Sequence, residues 1–271
     1  MKQFELPKIF FGSYQLNDYL KIHSVLSKCV DLNVRAFDMA PGYQTEELIG
    51  SFLKDIYIEK KLSREDFFLT TKVDNIHIVG GNIEEVLDNS LKKVGVDYFD
   101  LLLMHWPYPN KYMEAWEVME SLKSKGKCKH IGICNARVRH LKPMLERGMV
   151  PEVLQTEIHP FRVAEDLVAF CHLHEIAVQA YSPLCRMIPP IRNSRELIAL
   201  SLKYNKTVSQ IMLRWHIDRF ICPVTMSSKP ERVMENVDIF DFSLTKEEID
   251  LINSLDCDYH NFPESVSCPG Y

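Results

Sequence analysis

The chain has 271 residues, of which 46% are hydrophobic and 25% are charged, and its formal net charge is −5 at pH 7. This is the composition of an ordinary globular protein, and the lack of a lysine or arginine cluster argues against a nucleic-acid surface, because phosphate binding needs concentrated positive charge. No apolar run reaches the roughly 18 residues of a membrane span, and the N-terminus MKQFELPKIFFGS lacks the apolar stretch of a signal peptide, so we expect a cytoplasmic protein that binds no membrane.

Eight short apolar or β-branched runs are predicted to form strands. In chain order they cover residues 8–14, 33–38, 67–73, 98–105, 130–135, 153–158, 176–181 and 221–226. Several of them are apolar on both faces, as expected for the strands of a parallel sheet that helices cover.

Amphipathic segments between these runs are predicted to form helices. Residues 82–95 and 112–126 each carry a one-sided apolar stripe and end at a glycine. Residues 245–255 open with a capping-box pattern from Thr245 to Glu248.

Eight strands that alternate with helices, without a break in composition, predict one α/β domain over residues 1–271, a single (β/α)8 TIM barrel. A doubly wound open sheet is the alternative. No GxGxxG follows any of the predicted strands, although a dinucleotide-binding unit of that second fold normally carries one.

The eight cysteines are scattered along the chain without a CxxC pair. In a chain of this size we expect reduced, mostly buried thiols, as in a cytosolic protein. The neighbours Cys171, His172 and His174 raise the alternative of a zinc site. No second ligand cluster with the usual spacing exists, so we expect no metal.

Polar residues stand at the ends of most of the predicted strands. They are Asp38, Lys72, His105, Asn135, Gln155 with Glu157, Tyr181, and Ser227 just past the eighth strand. A single polar strand end is usually structural, but in a barrel the carboxyl ends of all strands meet at one mouth, where active sites form.

Four residues in this set suggest carbonyl chemistry. Tyr43 has an ordinary pKa of about 10, and a nearby ammonium such as Lys72 favours the phenolate and lowers that pKa. Asp38 would keep Lys72 charged and oriented, and His105 would hold a substrate oxygen by a hydrogen bond. Such a set polarises a carbonyl and supplies a proton, while the hydride must come from a cofactor.

The segment NVRAFDMAPGYQTEELIG (33–50) resembles the signature G-x-R-x-F-D-T-A-x-x-Y-x-N-E-x-x-x-G of the aldo-keto reductase superfamily. Six further segments follow in the order of that superfamily: LTTKV, VDYFDLLLMHWP, GKCKHIGICN, VLQTEIHPF, AYSPL and SSKPERVMEN. The similarity covers almost the whole chain and is closest to the bacterial type with a short C-terminal loop. It implies a (β/α)8 barrel that reduces an aldehyde or ketone with NADP(H).

The resemblance also implies roles for individual residues. The catalytic tetrad would be Asp38, Tyr43, Lys72 and His105, with Tyr43 as the general acid. Asn135 and Gln155 would bind the nicotinamide carboxamide, and Tyr181 would stack on the ring. The full set implied for the cofactor is Ser13, Tyr14, Asp38, Asn135, Gln155, Tyr181, Ser182, Leu184, Ser227, Arg232, Glu235 and Asn236.

The sequence departs from the family pattern near the expected adenosine phosphate. Met226 stands where the family often has lysine, and a charged hydrogen bond to a phosphate contributes about 1.5–3 kcal/mol. Arg232 remains and can still bind a phosphate with its fork of N–H groups. NADP(H) is therefore expected, with NAD(H) or dual use as the alternative.

Three further departures lie elsewhere in the motifs. Cys134 replaces the usual serine beside Asn135, and a thiol is a poorer hydrogen-bond partner. After AYSPL the chain continues CRM instead of with a glycine, which predicts a different loop over the pyrophosphate. Thr45 stands where the family usually has asparagine, and the sequence alone assigns it no effect.

The substrate is expected to be a small carbonyl compound with an apolar or ring-shaped body. Tyr14, Trp106 and Phe161 lie beside strand ends, where they would form an aromatic wall around Tyr43 and His105. The tail DCDYHNFPESVSCPGY is expected either to fray or to cover the mouth with Tyr259, Phe262 or Tyr271. The assembly is expected to be a monomer or a weak dimer.

Two other functions are weighed against this one. The first is an NADPH-binding regulatory subunit with little turnover, and a single-turnover test with bound NADPH would distinguish that role. The second is a Schiff base formed by Lys72, as in barrel aldolases. That chemistry needs a depressed lysine pKa, whereas Asp38 should raise it.

Overall fold

The computed structural model describes residues 5–262 and residue 268. Eight parallel strands pair in chain order, and the first strand also pairs with the eighth, so that the sheet closes into a barrel. The strands are β1 (Phe10–Gly12), β2 (Ala36–Asp38), β3 (Phe68–Val73), β4 (Phe99–Met104), β5 (Cys128–Cys134), β6 (Val153–Glu157), β7 (Ala177–Tyr181) and β8 (Ile221–Thr225).

Helices surround this barrel. Within the described ranges they are α1 (Tyr19–Asp31), α2 (Glu46–Lys60), α3 (Asn75–Gly80), α4 (Ile83–Val94), α5 (Tyr112–Ser124), α6 (Val138–Glu146), α7 (Glu165–Leu173), α8 (Pro189–Arg192), α9 (Arg195–Tyr204), α10 (Val208–Asp218), α11 (Pro230–Val237) and α12 (Lys246–Asn253). None of them is long and apolar enough to cross a bilayer.

The fold predicted from the sequence is confirmed, and the open-sheet alternative is excluded by the closed strand order. All eight predicted strands form, and seven of them are shorter than their apolar runs, whereas β5 begins two residues earlier than predicted and ends one residue earlier. The three predicted helices correspond to α4, α5 and α12. The capping box of α12 is present: the Thr245 side chain accepts from the backbone N–H of Glu248, whose own carboxylate accepts from that of Thr245.

The two faces of each strand have different surroundings. Phe11, Phe37 and Leu102 belong to the large core between the strands and the helices. Their neighbours along the strands form two smaller clusters, which contain Phe10 with Ala36 and Leu101 with Leu103. Because side chains alternate along a strand, these smaller clusters fill the inside of the barrel.

This alternation aims polar side chains at the mouth of the barrel. Asp38 lies two residues after the inward-facing Ala36, and Gln155 lies two residues after Val153, so both point inward. Lys72 pairs in register with the inward-facing Leu103. The three polar groups therefore meet inside the carboxyl-terminal end of the barrel.

All eight cysteines are free thiols, and only Cys257 among them is exposed. This distribution agrees with the reduced, mostly buried thiols expected from the sequence. Among the described residues no group of three or more His, Cys, Asp or Glu side chains is arranged to hold a metal ion.

Gly132 allows a close approach between β5 and β6. A β-carbon at this position would lie 2.4 Å from the carbonyl oxygen of Val153 and 2.7 Å from Cδ2 of Leu103. Both distances are far inside van der Waals contact, so a larger residue would push the two strands apart.

We predict that Gly132→Ala lowers the free energy of unfolding by about 1–3 kcal/mol, because overpacking strains the barrel interior. Urea denaturation measures the change. Gly80→Ala adds the same methyl group at the end of α3, where the nearest atom is the side-chain oxygen of Asn82 at 3.2 Å. The free energy of unfolding of this control should stay close to that of the unmodified protein. An equal loss of stability in both variants would contradict the packing argument.

Candidate active site

A cleft with a volume of about 360 Å³ opens at the carboxyl ends of the strands. Its lining combines polar strand ends with aromatic side chains from the loops. The lining residues are Gly12, Tyr14, Gln15, Asp38, Tyr43, His105, Trp106, Cys134, Asn135, Gln155, Tyr181, Ser182, Pro183, Leu184, Arg186, Val224, Thr225, Met226 and Phe262.

A buried ion pair lies at the base of this cleft. Nζ of Lys72 donates to Oδ1 of Asp38 at 2.5 Å and to the backbone oxygen of Met39 at 3.2 Å. Burial alone would lower the pKa of Lys72, but the charge of Asp38 and the neighbouring Tyr43 raise it above its ordinary value. Lys72 is therefore an ammonium, which disfavours the Schiff-base alternative.

Tyr43 sits in the one-turn 3₁₀ helix Pro41–Tyr43 that follows β2. Its ring centroid lies 4.8 Å from Nζ of Lys72. Burial raises the pKa of Tyr43 and the charge of Lys72 lowers it, with a net value above that of an ordinary phenol. Lys72 lowers the pKa of Tyr43, as expected from the sequence, but burial has the larger effect, so the phenol is not more acidic than a free one.

His105 completes the predicted group of four. It follows β4, and its ring centroid lies 6.0 Å from that of Tyr43. Its Nδ1 is paired with a carboxylate oxygen of Asp74. Asp74 was not predicted as a site residue, although it lies directly after β3, and the other polar residues of the site also stand at strand ends. The structure thus brings together Asp38, Tyr43, Lys72 and His105, as their motifs predicted.

Hydrogen bonds connect the polar side chains on the floor of the cleft. Nε2 of Gln155 donates to Oδ2 of Asp38 at 2.8 Å and to Oε1 of Gln179 at 3.0 Å. The hydroxyl of Tyr181 donates to Oδ1 of Asn135 at 2.8 Å, and Nδ2 of Asn135 donates to the carbonyl of His105 at 3.0 Å. These bonds fix the amides predicted to bind a carboxamide.

The thiol of Cys134 contributes little to this floor. Its Sγ lies 3.8 Å from Oε1 of Gln155, a weak contact. Thr45, which also departs from the family pattern, has a definite partner: its Oγ1 is 2.7 Å from Oγ of Ser13. Ser13 also donates to the backbone oxygen of Asp38 at 3.0 Å and is buried. Ser13 is therefore bonded to the end of β2 and is not among the residues that line the cleft.

Most of the predicted cofactor residues line the cleft. They are Tyr14, Asp38, Asn135, Gln155, Tyr181, Ser182 and Leu184. Ser227 and the three α11 residues Arg232, Glu235 and Asn236 lie beyond its lining, in the segment after β8. The Ser227 hydroxyl accepts from the N–H of Lys229 at 3.0 Å and shapes the turn into α11.

Arg186 also lines the cleft. It belongs to the segment CRM (185–187), which departs from the family pattern, and it was not predicted as a site residue. Its guanidinium lies 4.5 Å from the ring centroid of Phe262. The residue has φ 51°, in the left-handed region that non-glycine residues seldom adopt. The loop after AYSPL is thus unusual in shape, as the missing glycine suggested.

The aromatic wall of the cleft differs in one member from the predicted wall. Tyr14 and Trp106 line the cleft, but Phe161 does not. The carbonyl of Phe161 instead accepts from the N–H groups of Cys257 and Tyr259. Phe262 takes the place of Phe161 in the wall. The reason is tertiary, since the C-terminal tail folds over the barrel and brings its own aromatic ring.

Glu157 anchors this tail at the end of β6. Its Oε1 accepts from the backbone N–H of Asn261 at 2.9 Å and from Nδ2 of the same residue at 2.6 Å. Next to this anchor, the Phe262 ring lies 6.3 Å from that of Tyr14 and 6.0 Å from that of Tyr181.

The three aromatic tail residues that were candidates to cover the mouth of the barrel have different positions. Phe262 lines the cleft. Tyr259 packs near His159, with ring centroids 6.1 Å apart. Tyr271 lies outside the described residues.

Comparison with known proteins decides the family. The model of the aldo/keto reductase family matches residues 8–187 and 191–256. The chain belongs to the aldo/keto reductase family. Among its relatives in this family, a methylglyoxal reductase of Escherichia coli O157:H7 is 35% identical over 254 residues, which cover 93% of this chain and 90% of the relative.

Two other members of the family are similarly close. A glyoxal reductase of Bacillus subtilis is 32% identical over 255 residues, which cover 94% of this chain and 90% of the relative. A silkworm aldo-keto reductase, solved in complex with NADPH, superposes with a TM-score of 0.93 at 29% identity, over 99% of this chain and 90% of that one. The closed barrel of this chain is therefore the fold of a solved aldo-keto reductase.

We predict that Asp38→Asn destabilises this aldo-keto reductase by about 3–5 kcal/mol, because it leaves the buried ammonium of Lys72 without a counter-charge. The double variant Asp38→Asn with Lys72→Met should recover part of the loss, and chemical denaturation measures both. Asp31→Asn is the control, since Asp31 pairs with Lys60 at 3.1 Å on the surface. It should change stability by no more than about 1 kcal/mol.

Proposed function

We propose that this protein reduces an aldehyde or ketone to an alcohol with NADP(H), and that Tyr43 is the general acid. The observation that carries the proposal is the ammonium of Lys72, held by Asp38 and lying 4.8 Å from the Tyr43 ring. A fixed cation beside a phenol stabilises the phenolate that remains after the proton has left.

The position of Tyr43 suits a proton donor. Burial raises the pKa of Tyr43, so that the phenol carries its proton at neutral pH. When the carbonyl oxygen gains negative charge, Tyr43 gives up this proton, and the nearby Lys72 reduces the cost of the phenolate. Since Asp38 balances the charge of Lys72, the buried ammonium has its counter-charge in the resting site.

The residues present fit a nicotinamide dinucleotide. The amides of Asn135 and Gln155 and the ring of Tyr181 lie along one side of the cleft, which suits a flat ring that bears a carboxamide. Nε2 of the neighbouring Gln179 is buried without a hydrogen-bond partner among the described residues. When bound, such a cofactor supplies the hydride.

The cofactor phosphates would lie towards Met226 and α11. Arg232 forms no ion pair with a carboxylate in the part of the chain that the structure describes, and Lys229 stands at the start of the same helix. Met226 is 44% exposed and carries no charge. We therefore propose NADP(H) as the cofactor, with NAD(H) as a weaker alternative because a cation is missing at Met226.

The proposed substrates are short aldehydes, among them 2-oxoaldehydes such as methylglyoxal. Two relatives are named for methylglyoxal and glyoxal reduction, and the match with this chain covers nine-tenths of the length of each. The cleft is of modest volume, and Tyr14, Trp106 and Phe262 narrow it. A small carbonyl compound would reach His105 and Tyr43 between these rings.

The proposed site is complete within one chain. Every residue assigned to proton transfer or to the nicotinamide comes from the barrel itself. We therefore propose that a monomer, or a weak dimer whose subunits act independently, is the active form. The free and mostly buried thiols support our further proposal that the protein works in the cytoplasm.

Tyr43→Phe should reduce the rate of methylglyoxal reduction by at least about 100-fold, the typical contribution of a positioned acid, while NADPH binding changes little. Stopped-flow oxidation of NADPH and fluorescence titration measure the two effects. Tyr112→Phe removes the same hydroxyl from α5, away from the cleft, and should be silent. If Tyr43→Phe keeps the rate, another group supplies the proton. If the unmodified protein binds NADPH but oxidises it with no carbonyl compound, it is a binding subunit.

Met226→Lys should tighten NADPH by about tenfold or more and leave NADH nearly unchanged, since a charged hydrogen bond to the extra phosphate contributes about 1.5–3 kcal/mol. Fluorescence titration with both cofactors gives the ratio. Leu202→Lys adds the same charge on α9, at a side chain that is 77% exposed, and should affect neither cofactor. Equal tightening of NADPH and NADH by Met226→Lys would refute the phosphate assignment.

A further inference from the structure

Asp74 occupies the N-cap position of α3 but does not use its side chain as a cap. An aspartate at this position normally accepts a hydrogen bond from the first turn of the helix, and Asp18 does so at α1, where it accepts from the N–H of Lys21 at 2.9 Å. The Asp74 side chain makes no such bond. It turns away from the helix and towards the cleft residues.

Each carboxylate oxygen of Asp74 contacts a different part of the proposed active site. Oδ1 is paired with Nδ1 of His105, and Oδ2 accepts from the backbone N–H of Gly42 at 3.0 Å. Gly42 directly precedes Tyr43 in its turn. A β-carbon at position 42 would lie 3.0 Å from Oδ2, so glycine leaves room for this carboxylate.

Asp74 is ionised in this position. Burial would raise the pKa of Asp74, but the hydrogen bond with His105, the attraction to His105 and His77 when their rings are protonated, and the backbone N–H of Gly42 keep it below its ordinary value. The other titratable groups around the pair are Tyr43, Glu46, Asp38, Lys72 and Cys134. Of these, only Lys72 is a cation, and it is already paired with Asp38.

We propose that Asp74 is a positioning residue that assigns the proton of the neutral His105 ring to Nδ1. An ionised carboxylate can only accept a hydrogen bond, so its partner Nδ1 must carry the proton. In the neutral ring Nε2 is then an acceptor, and Nε2 becomes a donor only when the ring takes up a second proton. Among the described residues His105 makes no side-chain hydrogen bond through Nε2.

If the proposed function is correct, this tautomer makes the role of His105 depend on the pH and on whether a carbonyl is reduced or an alcohol is oxidised. The carbonyl oxygen of an aldehyde needs a donor, which His105 offers only in its protonated form. The hydroxyl of an alcohol can donate to the neutral ring. Asp74 would thus favour reduction at low pH and alcohol oxidation at high pH, while its second oxygen keeps the Tyr43 turn in place.

The first test reads the proton directly and needs no activity. Long-range ¹H–¹⁵N NMR of the whole protein at about pH 9, where an ordinary histidine is neutral, distinguishes the two ring tautomers, and the His105→Gln variant identifies the signal. We expect the proton on Nδ1 in the unmodified protein. In Asp74→Asn the side-chain amide can donate to Nδ1, and we expect a large share of the Nε2–H tautomer.

The second test follows the reaction. The kcat/KM for methylglyoxal reduction should rise as the pH falls in the unmodified protein, whereas Asp74→Asn should depend less on pH. The ratio of variant to unmodified protein should therefore increase by about tenfold or more from pH 6 to pH 9, because only the variant keeps an Nε2–H donor when the His105 ring is neutral. Asp18→Asn makes the same chemical change at a helix cap outside the cleft and should leave this ratio constant.

The outcomes separate this proposal from the proposed function. A proton on Nε2 in the unmodified protein overturns the role of Asp74, and this readout stands even if Asp74→Asn folds poorly. A changed tautomer in Asp74→Asn with an unchanged pH profile overturns the role in the reaction. If no carbonyl compound is reduced, the proposed function fails, and the NMR result alone decides whether Asp74 sets the tautomer.

Discussion

The geometry of the site depends on a salt bridge inside the barrel, the one between Asp38 and Lys72. The pair is almost completely shielded from solvent, with Nζ of Lys72 2.5 Å from the carboxylate. Two charges in such a place are costly unless they face each other and have further hydrogen bonds. The backbone carbonyl of Met39 accepts one from the ammonium, and Nε2 of Gln155 donates one to the carboxylate. The strands that carry them are thereby tied together at the mouth.

The salt bridge also explains the state of Tyr43. A phenol in this cleft keeps its proton because burial disfavours the phenolate. The neighbouring ammonium does not reverse this preference, but it lowers the cost of removing the proton. A donor that is protonated at rest and stabilised once deprotonated is what the reduction of a carbonyl group requires.

Three contacts around this centre join parts of the chain that are far apart in sequence. Asp74 links the end of β3 to His105 and to the Tyr43 turn. Glu157 links the end of β6 to the tail at Asn261. Through this second link Phe262 becomes a wall of the cleft, and the size of the substrate space depends on a residue near the C-terminus.

The sequence by itself determined the barrel and most of its polar mouth. Apolar runs of strand length record burial on both faces, and a polar residue two positions beyond an inward-facing one must point inward as well, as Asp38 and Gln155 do. Collinear motifs placed Tyr43 and His105 in the same site. Each of these patterns lies within a short segment of the sequence, so it can be recognised before the tertiary structure is known.

Only the tertiary structure decided which groups touch across the mouth. The pairing of Asp74 with His105, the replacement of Phe161 by Phe262 in the wall, and the net pKa of Tyr43 each depend on loops that no periodicity describes. Side-chain direction in a loop follows from its partners and not from a repeat, and a pKa follows from how much protein surrounds the group. Both quantities exist only once the chain has folded.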